Sequence, residues 1–201
     1  MIVTSNQAEY VFTRGKGNKL YVLSADSLET EYVKETSGHC IFSCKVYNGM
    51  LYIGCFEGHL FVFDLKNFEK RDYKKLSQGI YDILEVEDEG EHFLIFGQHY
   101  GNIDMLRESD LKKVFQANPA RVNSVFQMLK TSRPKEVAFF AYNGLYFGKI
   151  KRENPSKFDI AISATEFYLT DKHCMRGIEY SPDKMLVCVD EDESFYLLDR
   201  S

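Results

Sequence analysis

Apolar and polar positions alternate along this chain in short blocks. "LYIGCFEGHLFVFDL" (51–65) is one apolar run, a polar break at Glu57-Gly58 and a second apolar run. The same shape appears in "YVFTRGKGNKLYVLS" (10–24), "FLIFGQHYGNIDML" (93–106), "VAFFAYNGLYFGKI" (137–150) and "YSPDKMLVCVDEDESFYLLD" (180–199). Each run has the length of a strand and is rich in β-branched and aromatic residues. Each break carries the Gly, Asn or Asp that tight turns favour. The pattern predicts five β-hairpins.

The hairpins are evenly spaced. The first apolar residue of each second run is Leu20, Leu60, Ile103, Leu145 and Phe195, giving steps of 40, 43, 42 and 50. A further strand precedes each of the last four hairpins, marked by the apolar pairs Ile41/Cys44, Ile80/Ile83, Val122/Val125 and Met175/Ile178. These pairs keep step with the hairpins. The longer last interval places extra residues in "KIKRENPSKFDIAISATEFYLTDKH" (149–173). A period of ~40–45 residues is that of propeller blades. The polar stretches "NFEKRDYKKLS" (67–77) and "ESDLKKVFQAN" (108–118) suit an outer strand with one wet side. The second also fits a short helix through Leu111, Val114 and Phe115, but the same slot recurs in every repeat and a strand is expected.

The repeats resemble the WD-repeat family of β-propellers. "YSPDKMLVCVDEDESFYLLD" is similar to that family's commonest stretch, and "GHCIFSCKVYNGMLYIGCFEGHLFVFDL" (38–65) to its Gly-His to Trp-Asp unit, with Phe63 for Trp. His39-Cys40 recurs as His173-Cys174, three periods later. The resemblance covers about residues 8–199 and its motifs are degenerate. Trp is absent, and Gln78 and Ala120 stand where the turn His would be. It implies an all-β propeller in one domain over 1–201, with repeats near 8–36, 37–77, 78–118, 119–170 and 171–199. That is four to five blades where the family forms rings of seven. An open arc would expose a strand edge and an apolar blade face. Three resolutions are open. Residues 1–7 pair as the outer strand of the last blade, another chain completes the ring, or the chain is part of a longer one. The last two are preferred.

Charge and composition narrow the function classes. A net charge of −5 disfavours a general polyanion binder. "MIVTSNQAEY" has neither the basic start nor the apolar stretch of a signal peptide. No run approaches the ~18 apolar residues of a membrane helix. Five Cys without an export signal read as reduced thiols of an intracellular protein, cytoplasmic or nuclear. His39, Cys40, Cys44, Cys55 and His59 contain zinc-ligand types, but without a Cys-x-x-Cys pair, and Cys44 fills an apolar slot. "RGKGNK" (14–19) is a hairpin turn and not a phosphate loop, and no Gly-x-Ser-x-Gly elbow occurs. The carboxylates of "EVEDEGE" (85–91) and "DEDE" (190–193) coincide with strand turns and read as solvated charge. No cofactor or metal is expected.

Two basic clusters, Lys66/Lys70/Arg71/Lys74/Lys75 and Lys149/Lys151/Arg152/Lys157, read as a solvated rim that discourages edge pairing. The expected binding face is the one carrying the repeat-start loops and hairpin turns, because several repeats contribute to it on a rigid scaffold. Its candidates are His39, Glu57, Gln78, Tyr100, Arg121, Asn143, His173 and Asp192, with Tyr100 and Arg121 ranked first as interface-anchor types. The leading expectation is a non-catalytic scaffold or complex subunit that binds other proteins, one of which completes the propeller. Binding of nucleic acid or an anionic surface through the basic strands ranks second. A hydrolase with a central pocket ranks third.

Overall fold

A computed structural model describes residues 3–4, 10–14, 18–118, 124–142, 144–154, 157–162, 174–189 and 194–200. These residues hold strands, one turn of 3-10 helix at His99–Gly101 and no α-helix. The chain divides into two compact units, Met1–Ile83 and Leu84–Ser201.

The first unit contains two four-stranded antiparallel sheets. The first sheet is β1 (Val3–Thr4), β2 (Tyr10–Arg14), β3 (Lys19–Ser24) and β4 (Thr30–Glu35), paired in chain order. The second is β5 (Ile41–Tyr47), β6 (Met50–Cys55), β7 (His59–Asp64) and β8 (Lys70–Lys75). Alternation decides what is buried between them. Phe12, Leu20 and Val22 of the first sheet pack with Ile41, Leu51, Ile53 and Phe61 of the second. Residues 1–7 were one candidate for the outer strand of the last repeat. The structure corrects this: Val3 and Thr4 pair with Phe12 and Val11, inside the first sheet.

The division between units falls inside β9 (Ile80–Asp88), the first strand of the third sheet. That sheet continues with β10 (Glu91–Gln98), β11 (Ile103–Arg107) and β12 (Lys113–Ala117). The fourth is β13 (Val125–Lys130), β14 (Glu136–Ala141), β15 (Gly144–Asn154) and β16 (Lys157–Ile162). The fifth is β17 (Cys174–Ser181), β18 (Lys184–Val189) and β19 (Ser194–Asp199). All five expected hairpins and the strands leading the last four are present. Both polar stretches form outer strands, β8 and β12, so 108–118 contributes a strand rather than a helix. Part of the enlarged interval lengthens β15 to 11 residues, and its residues 163–173 lie outside the described residues.

Small and large side chains interlock from one repeat to the next. A Cβ built on Gly54 would lie 2.5 Å from Ile80 Cγ2, and one on Gly97 2.8 Å from Val125 Cγ1. At the fourth sheet the sizes reverse. Phe140 occupies the position of those glycines, and a Cβ on Gly177 would come within 2.5 Å of its ring. The Gln127 side-chain amide bonds both backbone groups of Gly177, donating to its carbonyl at 3.2 Å and accepting from its N–H at 2.9 Å. Arg200 adds a clamp between the fourth and fifth sheets. Its buried guanidinium pairs with Glu136 at 2.5 Å and Glu179 at 3.7 Å, and lies 3.8 Å from the Phe147 ring centre.

One turn recurs between the third and fourth strands of the first three sheets. Leu28, Phe68 and Leu111 each adopt positive φ there, at 58°, 53° and 52°. The N–H of Leu28 donates to the Ser24 carbonyl and that of Phe68 to the Asp64 carbonyl, at 3.0 and 2.7 Å. This conformation costs a non-glycine residue about 1–2 kcal/mol. Phe68 recovers that cost by packing on Tyr10 and Tyr32, at 5.4 and 4.3 Å between ring centres. Leu28 is 63% exposed and recovers little, whereas Phe68 is 1% exposed. Opposite signs are therefore expected for one substitution. Leu28→Asn should stabilise the protein by about 1 kcal/mol, since Asn tolerates the left-handed region. Phe68→Asn should destabilise it by about 3 kcal/mol or more through lost core volume. Urea unfolding of the two variants measures both.

Candidate functional site

Three of the expected site residues meet at one end of the second sheet. The loop 36–40 leads into β5, the turn 56–58 joins β6 to β7, and the loop 76–79 leaves β8. Backbone bonds lock them together. Phe56 N–H donates to the Cys40 carbonyl at 2.8 Å, and Leu76 N–H donates to the Gly58 carbonyl at 2.8 Å. Gly58 is required here by its φ of 84° and by the Gln78 carbonyl, which would lie 2.7 Å from a Cβ. His39, Glu57 and Gln78 thus stand on three loops of one surface.

The polar groups of that surface are largely engaged. Cys40 N–H donates to the Glu57 carboxylate at 3.2 and 3.4 Å. His39 Nδ1 lies 3.7 Å from the same carboxylate, and Lys75 donates to the Glu57 carbonyl. The His39 ring stacks on His59 with centres 3.6 Å apart, and His59 Nδ1 is 2.5 Å from the Tyr73 hydroxyl. The His39–His59 stack joins the loop before β5 to the start of β7, which the sequence shows only as two separate histidines. Burial, then the charges of Lys75 and His39, holds the His59 imidazole below the ordinary histidine value. Asp64 accepts from Lys66 N–H at 2.8 Å and pairs with Arg71 at 2.6 Å. The Arg71 guanidinium holds its carboxyl below the usual carboxylate range.

An aromatic cluster lies beside these loops. Phe42 of β5, Phe56 of the hairpin turn and Tyr81 of β9 approach pairwise at 5.2, 5.1 and 6.4 Å. Phe56 is exposed, and Phe42 and Tyr81 are half-buried. Arg14 of β2 donates to the Ile41 carbonyl at 2.9 Å and carries its guanidinium 5.7 Å from the Phe42 ring. No candidate ranked from the sequence belonged to this trio. Phe42 and Tyr81 hold equivalent places one repeat apart, which is the signal that could have found them, whereas Phe56 lies in the intervening turn.

The zinc-ligand types do not converge. Cys44 is buried in the core, and burial pushes its thiol up to about 12. Burial, then the Glu57 carboxylate, also pushes Cys55 up to about 12. Thiols held that high stay protonated and are poor nucleophiles and ligands. Among the described residues, no three or more His, Cys, Asp or Glu are placed to hold a metal ion. No helix among them is long and apolar enough to cross a membrane.

In the second unit, Tyr100 stands in the β10–β11 turn with φ of 58° and 60% exposure. Its ring stacks on His99 at 3.9 Å, and its carbonyl accepts from the Asn118 amide at 3.2 Å. Arg121, Asn143, His173 and Asp192 lie outside the described residues, as do the carboxylates of 190–193.

Two charge readings are corrected. The acidic turn 85–91 is not merely solvated charge, because cations from other strands meet it. Lys135 pairs with the buried Asp88 at 2.6 Å, Lys130 with Glu85 at 3.3 Å and Arg107 with Glu91 at 3.7 Å. Arg152 pairs with Glu89 at 3.2 Å, Asp88 at 3.7 Å and Glu91. Arg152 is therefore not part of a solvated rim. Its guanidinium lies beside Phe158, 5.2 Å from the ring centre. A cleft of about 270 Å³ opens beside this network, lined by Asp88, Lys130, Ser132, Arg133 and Lys135 among others. On β8, Arg71 is held by Asp64, Lys75 by the Glu57 carbonyl, and Lys70 sits 5.4 Å from the Phe61 ring centre.

No family model and no curated protein matches the chain. Solved structures do resemble it. The computationally designed Ika8 protein aligns with a TM-score of 0.69 at 9% identity over 98% of this chain, which spans 57% of the length of that protein. The β-propeller domain of Cps50 (Swd1) from Myceliophteria thermophila aligns with a TM-score of 0.60 at 7% identity, over 99% of this chain and 82% of that one. At such identity the likeness is one of fold, and the fold is propeller-like.

The burial of His59, with the Lys75 charge beside it, makes stability depend on pH. His59 binds protons less readily when folded than when unfolded. The folded state is therefore favoured fully above about pH 6.5, and that advantage is lost as pH falls from there through the folded value. The urea midpoint should drop between pH 7.5 and 5.5, and drop less in His59→Gln. Equal drops would exclude this origin.

Proposed function

We propose that the protein is a non-catalytic scaffold or complex subunit of WD-repeat type that binds other proteins through the loop end of its second sheet. The observation that carries this reading is the Phe42–Phe56–Tyr81 cluster, partly open to solvent and flanked by Arg14 and Glu57. Aromatic and Arg side chains in such settings supply most of the binding energy of protein interfaces, and neighbouring polar groups exclude water around them. The three loops beneath are tied by backbone bonds, so little ordering entropy is lost when a partner docks. The propeller-like fold supports the reading in general, since it presents loops from successive repeats on one scaffold. Binding to nucleic acid has weaker support. Arg71, Lys75 and Lys70 on β8 are engaged within the chain, which lowers the field they offer to phosphates.

Native-level purification of the tagged chain, with mass spectrometry of retained proteins, tests the proposal. Phe56→Ala and Tyr81→Ala should each weaken retention at least tenfold, a loss of about 1.4 kcal/mol. Lys66→Ala, a change on an exposed turn, should leave it intact. Retention unaffected by both aromatic changes, in folded variants, would remove this surface from the account.

A further inference from the structure

One arginine at the loop end of the second sheet carries a charge that no described carboxylate meets. Arg71, Arg107, Arg133, Arg152 and Arg200 each pair with an Asp or Glu. Exposed Arg14, the last residue of β2, pairs with none among the described residues. Its Nη1 donates to the Ile41 carbonyl at 2.9 Å and lies 3.9 Å from the Cys40 sulfur. Its guanidinium carbon stands 5.7 Å from the Phe42 ring centre. These contacts fix the guanidinium without neutralising it. Both polar contacts use Nη1. No described residue hydrogen-bonds the Nε–Nη2 edge, a side on which a guanidinium can hold a carboxylate through two parallel bonds.

The charged groups around it are engaged within the chain. The Glu57 carboxylate accepts from Cys40 N–H and has His39 Nδ1 at 3.7 Å, while Lys75 donates to the Glu57 carbonyl. Asp82 accepts from Ile83 N–H at 2.9 Å. This balance discriminates between partners. A cationic side chain laid on the rings would be repelled by Arg14 and Lys75. An uncharged segment would shut the Arg14 guanidinium away from water with no counter-charge, which costs binding energy. A phosphate dianion would bring more charge than one guanidinium matches, with the Glu57 carboxylate on the same surface. A single carboxylate fits. Spacing adds a constraint. The Phe42 and Phe56 ring centres are 5.2 Å apart. Two residues of extended chain span about 7 Å and place their side chains on one face. An acidic and an apolar side chain at that separation therefore reach Arg14 and the rings together.

We propose that the partner bound at this end presents an extended acidic segment, with an Asp or Glu next but one to an aromatic or aliphatic residue. The carboxylate pairs with Arg14, and the apolar side chain covers Phe42, Phe56 and Tyr81. Aromatic rings and an arginine side by side are the usual anchors of such contacts. The inference rests on the loop-end surface proposed above and adds the chemistry of what that surface takes.

A random peptide library displayed on phage and panned against the full chain tests this. Enriched peptides should carry Asp or Glu next but one to an aromatic or aliphatic residue. In fluorescence titrations Arg14→Gln should weaken an enriched peptide by about tenfold or more, and so should replacing the peptide's carboxylate by its amide. Both changes together should cost little more than either alone, the mark of a direct pair. Enrichment of Lys or Arg, no preference of charge, or an affinity that Arg14→Gln leaves unchanged would overturn the inference. Phe56→Ala then separates it from the surface itself. Binding lost in Phe56→Ala but indifferent to Arg14→Gln keeps the surface and discards its acidic partner, whereas binding indifferent to both discards both. A library that yields no binder also overturns the inference, and the retention experiment above then judges the surface alone. Should Arg14→Gln fail to fold by circular dichroism, the carboxylate-to-amide change in the peptide, titrated against the wild-type chain, decides.

Discussion

The burial of one sheet's face by the next is the interaction on which the rest of this structure depends. An isolated hairpin is marginal in water, and a few strands need a covered apolar face to be stable. Here the cover is supplied by the following repeat. The contact is shaped as well as greasy: Gly54 receives Ile80, Gly97 receives Val125, and at the next repeat Phe140 inserts toward Gly177. Interiors packed to crystal-like density tolerate few mismatches, so these size exchanges set which neighbour each sheet accepts. The polar bonds of Gln127 to Gly177 and of Arg200 to Glu136 and Glu179 add direction to that contact.

A scaffold stabilised through its sheet faces leaves its loop ends free to vary. In the first unit the loops 36–40, 56–58 and 76–79 are held by a handful of backbone bonds, and on them or in the strands beside them stand two histidines, a glutamate and three aromatic rings. The Cys44 and Cys55 thiols nearby are buried and stay protonated. The second unit places its charge differently. Asp88 and its acidic neighbours draw Lys135, Arg152 and Arg107 into a network that joins β9, β10, β11 and β15. Charges that look alike along the chain thus serve adhesion in one place and solvation in another.

Much of the fold was legible in the sequence because strand alternation and turn residues are local signals. The five hairpins, the strand before each of the last four, and the outer strands at 70–75 and 113–117 all follow from a period of two broken by Gly, Asn or Asp. The placement of Val3–Thr4 was not legible, since two residues carry no period and their pairing with Val11 and Phe12 is a choice among edges. The site was legible only in part. His39, Glu57 and Gln78 could be assigned to one end because repeat-start loops and hairpin turns fall at the same end of a sheet. The aromatic trio was not singled out, although Phe42 and Tyr81 hold the same place in successive repeats, because their contact with Phe56 depends on how the two strands and the turn pack.

What the sequence determined by itself is the kind of element and its repetition: strand after strand, hairpin after hairpin, with one apolar face to cover and a turn at each end. Those properties depend on backbone geometry and neighbouring side chains, which act over a few residues. Only the tertiary structure decided which side chains from separate strands and turns meet. It stacked His39 on His59, neutralised Asp88 with Lys135 and Arg152, and left Phe195 and Leu197 uncovered. The physical reason is that pairing energies between charges, rings and apolar faces depend on separations of a few ångströms. Those separations are set by how whole sheets pack, and no short stretch of chain contains them.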